Sequence, residues 1–124
     1  MQAMFDPSYR FLYVPCLDSS WIAMFRWDED TGTATPLIPN GQDDNLALLP
    51  PGVGPRHLAF NPALPRVAYT VNEKSNTVAR WDWDPQTGVL AANFTAEPQR
   101  IVSTLPPGTP PGCPILSADT GCAV

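Results

Sequence analysis

Two charged residues and two polar neighbours are the groups in this sequence that could carry chemistry. Arg56 and His57 precede one apolar segment, and Asn72 and Glu73 close another. A guanidinium binds carboxylates and phosphates through a bidentate fork, and a positioned carboxylate can transfer protons. Each residue also has a structural explanation, since Arg56 could pair with a neighbouring acid and Glu73 could be an ordinary turn residue.

Other common catalytic and metal-binding patterns are missing from the sequence. There is no G-x-S-x-G, P-loop, H-E-x-x-H or G-x-G-x-x-G motif. One histidine and three scattered cysteines give no convincing nucleophile dyad or zinc site. The acidic segment 28–30 could start a calcium loop, but an EF-hand needs Glu at its twelfth position, where Pro39 stands. The sequence therefore predicts no cofactor and no metal.

Composition and charge argue against several classes of protein. The chain has 124 residues, of which 44% are hydrophobic and 16 are prolines, so it can form a core that is interrupted often. Its longest apolar run, at 21–25, is far below the ~20 residues that span a bilayer. A net charge of −5 with a single lysine argues against a nucleic-acid partner. An odd number of cysteines without C-x-x-C spacing, together with a start without a leader-like segment, predicts a cytoplasmic protein.

The chain repeats itself at an interval of 56 residues, which is the most informative feature of the sequence. The repeat includes Leu-Pro-Pro-Gly at 49–52, which returns at 105–108. Other matching pairs are Arg10 and Arg66, Tyr13 and Tyr69, Trp27 and Trp83, Asp28 and Asp84, and Gly32 and Gly88. A fixed period of this length is typical of solenoids, propellers and arrays.

One repeat has the pattern of four short strands separated by turns. The strands are expected at 57–60, 66–72, 77–82 and, with irregular parts, 89–104. In the earlier copy, segment 21–27 alternates large aromatics with Ile22 and Met24, so both faces of that strand are apolar. Four consecutive antiparallel strands form the blade of a β-propeller. The sequence predicts an all-β fold of about two four-stranded antiparallel blades.

The number of repeats predicts a partial propeller. Residues 1–49 would form an incomplete blade, 57–104 a complete one and 112–124 the start of a third. Because a propeller closes with roughly 4–8 blades, the chain is interpreted as a fragment of a larger protein. Blades bury their faces against neighbours, so we expect the fragment to be inactive and poorly stable alone and to self-associate through open blade edges.

Three segments carry a family resemblance: Phe-Leu-Tyr-Val-Pro at 11–15, Gly-Pro-Arg-His-Leu-Ala-Phe-Asn-Pro at 54–62 and Val-Asn-Glu-Lys-Ser-Asn-Thr-Val at 71–78. They are similar to the lactonase family of seven-bladed β-propellers, which includes 6-phosphogluconolactonases of the propeller type and 3-carboxy-cis,cis-muconate lactonising enzymes. The resemblance covers nearly the whole chain. It implies a small anionic lactone as the substrate.

The resemblance also implies an active site at the central channel of the propeller. Carried over by position, it makes Arg56 and Glu73 candidate catalytic residues, with His57 and Asn72 as candidate substrate-binding residues. The sequence departs from the family where a histidine usually precedes a Gln-x-x-x-Asp-Pro segment, because Met1 stands there. On a regular strand, His57 should point to the face opposite Arg56, and Asn72 could simply cap a turn.

Two classes of function follow from these expectations. The first is a lactone-acting enzyme, with hydrolysis of a sugar lactone as the leading version and cyclisation of a carboxy-muconate as the alternative. The second is a non-catalytic propeller piece or interaction module. A pocket shared by Arg56 and Glu73 would favour the enzyme.

Overall fold

A computed structural model describes residues 2–105, which form two antiparallel sheets and no α-helix. The predicted all-β class is therefore confirmed. Residues 4–48 form the first sheet, here called the first unit, and residues 55–103 form the second unit. The expected third blade at 112–124 lies outside the described residues.

The strands of the first unit follow one another across the sheet. In order they are β1 (Met4–Phe5), β2 (Phe11–Cys16), β3 (Trp21–Asp28) and β4 (Thr33–Pro36), with β5 (Leu46–Leu48) also pairing with β3. The second unit has the same order, with β6 (Pro55–Phe60), β7 (Val67–Asn72) and β8 (Thr77–Trp83), and with both β9 (Leu90–Ala91) and β10 (Ile101–Ser103) pairing with β8.

The outermost strand of each unit is divided into two segments, and in the second unit these lie within the strand with irregular parts that was expected at 89–104. In the second unit a loop and a 3₁₀ turn at Pro98–Arg100 separate β9 from β10. In the first unit a loop containing Pro39 separates β4 from β5. Proline lacks the N–H that a sheet ladder needs, so these segments leave the sheet and return to it.

The hairpin that follows the third strand has the same structure in both units. The Asp28 carboxylate accepts hydrogen bonds from the backbone N–H groups of residues 30 and 31, and the Asp84 carboxylate accepts them from residues 86 and 87. Gly32 and Gly88 close the two turns at positive φ, 65° and 79°. The repeated Asp and Gly of the sequence therefore encode a repeated turn.

Side chains from one face of each unit meet to form the core. Tyr13, Ile22 and Met24 point from the first unit, and Trp81 and Trp83 point from the second; all of them are buried. The Trp83 indole N–H donates to the Tyr13 hydroxyl oxygen at 2.8 Å, and the Tyr13 hydroxyl donates to the carbonyl of Gly88 at 2.5 Å. We call this contact between the sheets the joint. The polar atoms of both aromatic side chains are therefore satisfied inside the core.

Candidate active site

Strand β6 lies at one edge of the second unit and brings the two candidate catalytic residues together. A guanidinium nitrogen of Arg56 (Nη1) forms an ion pair and hydrogen bond with Oε2 of Glu73. The two side chains are 47% and 45% exposed. The structure thus places a cation and a carboxylate side by side on an accessible edge, although the two residues are 17 positions apart in the sequence.

A β-bulge in β6 determines where Arg56 stands. Pro55 pairs with Asn72 and His57 pairs with Val71, so Arg56 is an additional residue without a partner in the register. Bulges re-aim side chains and occur often beside active sites. Arg56 and His57 are both exposed, in succession, so the strict alternation assumed for placing His57 on the opposite face does not hold here. No described contact joins His57 to the ion pair, and its substrate-binding role stays a prediction.

The carboxylate partner is positioned by a close contact between two backbone segments. The N–H of Glu73 donates to the carbonyl of Gly54 at 2.9 Å, which ties the turn after β7 to the residues just before β6. Gly54 has a φ of 66°, and a Cβ there would lie 2.7 Å from the Cβ of Lys74. Only glycine permits this approach, which explains the residue that precedes Pro-Arg-His in the sequence.

Asn72 is fully buried and holds the following turn. Its Nδ2 donates to the Thr77 hydroxyl oxygen at 3.0 Å, and the Ser75 hydroxyl lies 2.7 Å from the same oxygen. Its Oδ1 accepts no hydrogen bond from any residue between 2 and 105. These contacts agree with a turn-holding role, and its substrate-binding role stays a prediction.

The first unit supplies three residues around the site that local sequence patterns do not reveal. The Ser20 hydroxyl accepts a hydrogen bond from the N–H of Gly54 at 3.1 Å. The Gln2 side-chain oxygen accepts one from the N–H of Leu58 at 2.8 Å, and Asp18 pairs with Lys74 at 2.6 Å. The 56-residue period does give one signal, because Ser20 aligns with Asn76 and both have positive φ, 54° and 52°.

The arrangement can bind an anion and accept a proton at one edge. Because both side chains are about half exposed, a carboxylate or phosphate can reach the guanidinium of Arg56 from solvent.

A cavity of about 740 Å³ lies elsewhere, beside Arg26, Arg66 and Asp84, and includes neither member of the pair. Within residues 2–105, no three His, Cys, Asp or Glu residues are grouped closely enough to hold a metal ion. Nor is any helix in this range long and apolar enough to cross a bilayer.

Comparison with known proteins decides the family. The model of the family described as lactonase, 7-bladed beta-propeller, matches residues 2–112. This chain belongs to the lactonase family of seven-bladed β-propellers. A 6-phosphogluconolactonase of Yersinia enterocolitica is 38% identical over 76 residues, which are 61% of this chain and 21% of that protein. A probable 6-phosphogluconolactonase of Arthroderma benhamiae is 32% identical over 114 residues, 86% of this chain and 25% of that protein.

Solved structures support the same fold. A crystal structure of a protein from Lactobacillus plantarum superposes with a TM-score of 0.68 at 25% identity, over 86% of this chain and 27% of that one. The chain thus spans about a quarter of the length of these family members. Its two sheets correspond to consecutive blades of a lactonase propeller, as the 56-residue period and the family resemblance predicted.

Proposed function

We propose that this chain forms part of an enzyme that hydrolyses a phosphorylated sugar lactone, 6-phosphogluconolactone. The observation that carries the proposal is the exposed pair of Arg56 and Glu73 on edge strand β6, in a family whose matched members are named for this reaction. The substrate combines an anionic phosphate with an ester carbonyl. Arg56 offers a cation that can bind the phosphate, and Glu73 offers a proton acceptor for the water molecule that attacks the carbonyl carbon.

The chemistry assigns one role to each side chain. Arg56 binds the phosphate through its guanidinium, and this anion competes with Glu73 for the same donors. Released from the ion pair, the Glu73 carboxylate accepts a proton from a water molecule whose oxygen attacks the lactone carbonyl carbon. The ring C–O bond then breaks, and the departing alkoxide takes up a proton as the open-chain acid forms. Water is the only co-reactant in this step.

A chimera tests the proposal in a complete propeller. The matching segment of the Yersinia enterocolitica enzyme would be replaced by residues of this chain, and hydrolysis of 6-phosphogluconolactone measured above the spontaneous rate. We expect the chimera to hydrolyse the lactone, and Arg56→Gln or Glu73→Gln to reduce kcat/KM by about 10²-fold or more. Arg66→Gln is the matched control, because Arg66 is an exposed arginine that faces Asp84 at 3.9 Å, away from the site.

One result would contradict this function, and an assay with a second compound would then decide between the two alternatives. A chimera that folds, as shown by circular dichroism and gel filtration, but leaves the spontaneous rate unchanged would remove the hydrolytic assignment. If the same chimera instead cyclises a carboxy-muconate, the lactone-forming alternative is correct. Inactivity toward both compounds would favour a non-catalytic interaction module.

We also propose that the enzyme acts in the cytoplasm on a sugar-lactone intermediate. The support is the cysteine pattern of the sequence, because three cysteines without a C-x-x-C spacing are typical of a reducing compartment. Fractionation of cells that express the tagged chain tests this. Recovery with periplasmic or secreted proteins would contradict it.

A further inference from the structure

The peptide group between Val53 and Gly54 lies just before strand β6 and is held on both of its polar edges. On one edge, the Ser75 hydroxyl donates to the carbonyl of Val53 at 3.0 Å. On the other edge, the N–H of Gly54 donates to the Ser20 hydroxyl oxygen at 3.1 Å. Ser75 belongs to the second unit and Ser20 to the first. One hydroxyl from each unit therefore fixes the orientation of this peptide group.

The next carbonyl along the chain connects this peptide group to the candidate site. The carbonyl oxygen of Gly54 accepts the N–H of Glu73 at 2.9 Å, and Glu73 forms the ion pair with Arg56. A path of two hydrogen bonds thus leads from the Ser20 hydroxyl through Gly54 to the residue that carries the carboxylate. It crosses from the first unit to the second.

Gly54 needs these restraints because a glycine does not fix its own backbone. Without a Cβ it adopts positive and negative φ about equally well, and here φ is 66°. Val53 and Gly54 are both buried, so the polar groups of their peptide must find partners inside the protein. Removal of the Ser20 hydroxyl leaves the N–H of Gly54 without its partner and loosens the segment that holds Glu73.

The hydrogen bonds on the Ser75 side run in one direction. A carbonyl can only accept, so Ser75 donates its single hydroxyl hydrogen to Val53. The Thr77 hydroxyl then donates to Ser75 and accepts from the side-chain amide of Asn72. The carbonyl edge of the peptide is thereby anchored within the second unit. The N–H edge is the one that depends on packing between the units.

The backbone of Ser20 lies in a conformation that favours glycine. Its φ is 54°, and its side chain is in a residue that is only 4% exposed. The N–H of Ser20 donates to the carbonyl of Cys16 at 3.1 Å, and its carbonyl accepts from Leu49 at 3.0 Å. Glycine would meet these backbone requirements with less strain, but it has no hydroxyl. Strained residues of this kind are concentrated at functional sites.

We propose that Ser20 is a positioning residue that sets where Glu73 stands relative to Arg56. It acts through the peptide group between Val53 and Gly54 and touches neither member of the pair. The role rests on the proposed function, because it concerns the same two side chains. A displaced carboxylate activates the attacking water less well, whereas the guanidinium that binds the phosphate stays in place on β6.

Two substitutions at one position separate the hydroxyl from the backbone. Ser20→Gly removes the hydroxyl and relieves the positive φ, whereas Ser20→Thr keeps a hydroxyl and makes the positive φ more costly. Ser19→Gly is the matched control, because Ser19 is an exposed serine of the same turn. Each change is made in the chimera described above, carrying both units. The measurements are kcat per folded protein, KM and the thermal unfolding midpoint.

We expect stability and activity to change in opposite directions. Ser20→Gly should lower kcat about 10-fold and change KM less than about 2-fold, with little loss in the unfolding midpoint. Ser20→Thr should lower the midpoint and keep kcat within about 2-fold. Ser19→Gly should leave kcat unchanged. A merely structural role for Ser20 would instead make kcat per folded protein independent of the hydroxyl.

The unmodified chimera tests the proposed function, and the ratio of each variant to it tests the role of Ser20. An unchanged kcat in Ser20→Gly would overturn that role, as would an equal loss of kcat in Ser20→Thr. If Ser20→Gly fails to fold, Ser75→Ala takes its place and should lower kcat in the same way, because it releases the other edge of the peptide.

An inactive chimera would remove the proposed function but would still leave the positioning testable. Hydrogen exchange of the Glu73 N–H, followed by NMR in the full chain, then decides. Faster exchange in Ser20→Gly than in Ser19→Gly would support the path through Gly54. Equal exchange in the two variants would overturn it.

Discussion

The two units contain the same residues at equivalent positions, yet those residues have different surroundings. Tyr13 is fully buried and makes two hydrogen bonds across the joint, whereas Tyr69 is half-buried and accepts one from Asn61 of its own unit. Gly88 packs against Phe11, but Gly32 faces open space within the described part of the chain. The comparison shows that the repeated residues give both units the same shape. Burial in the joint then determines how much each residue contributes to stability.

The largest contrast is expected between the two turn glycines. Gly88→Ala should lower the free energy of unfolding by about 2–4 kcal/mol, because it combines an unfavourable positive φ with overlap against the Phe11 ring. Gly32→Ala should cost only ~1 kcal/mol, because it has the φ penalty without the overlap. Urea denaturation of both variants measures the difference. Equal losses would mean that the joint does not form in solution.

The two tyrosines give the next contrast. Tyr13→Phe leaves the Trp83 N–H and the Gly88 carbonyl without their partner in a buried site, and should cost ~1–3 kcal/mol. Tyr69→Phe removes a half-exposed hydrogen bond with Asn61 and should cost less than ~1 kcal/mol. Thermal unfolding followed by tryptophan fluorescence compares them, and a larger loss for Tyr69→Phe would reverse the comparison.

Alkaline pH should weaken the joint selectively. Burial raises the pKa of Tyr13 far above its ordinary value of 10.0, with the charge of Asp6 adding to the rise and the Trp83 hydrogen bond opposing it. Since the folded state holds this proton more tightly than the unfolded state, its stabilisation is complete below about pH 10 and decreases above it. The free energy of unfolding should fall by up to ~1.4 kcal/mol per pH unit there. Tyr13→Phe should remove this component of the slope, and an unchanged slope would contradict the burial.

The smallest contrast is expected at the turn aspartates. Asp28→Ala and Asp84→Ala each remove a carboxylate that accepts two backbone hydrogen bonds, and both should give small and similar decreases in the unfolding midpoint. The Gln86 N–H is the main reason that the pKa of Asp84 lies below its usual value. This contribution is present above about pH 4 and is lost as the pH falls further. A clear difference between the variants at neutral pH would show that the turns depend on the joint.

The elements that the sequence predicted correctly are those that local patterns encode. Alternation in 21–27 predicts β3, and the repeated Asp and Gly predict the two hairpins. The sequence predicted irregular parts in the fourth strand at 89–104 but not where that strand divides, because a proline shows that a ladder is interrupted and not where the chain rejoins it. The contact between Tyr13 and Trp83 joins residues 70 positions apart, and no local pattern specifies that distance.

The candidate site was predictable only in part. The resemblance selected Arg56 and Glu73, and the structure brings them into contact. The sequence could not reveal the bulge that makes Arg56 an extra residue, because a one-residue offset depends on how β6 pairs with β7. Ser20 also escaped notice, since its contact with Gly54 depends on how the units pack.

The hydrogen bond between Ser20 and Gly54 limits which segments related propellers could exchange by recombination. A recombination event that transferred residues 54–103 alone would carry Arg56, Glu73 and Gly54 into a new host protein. It would leave behind the hydroxyl of Ser20 and the carboxylate of Asp18, which hold Gly54 and Lys74 beside the pair. The unit of inheritance for this site is therefore larger than one blade and includes the loop of the preceding one.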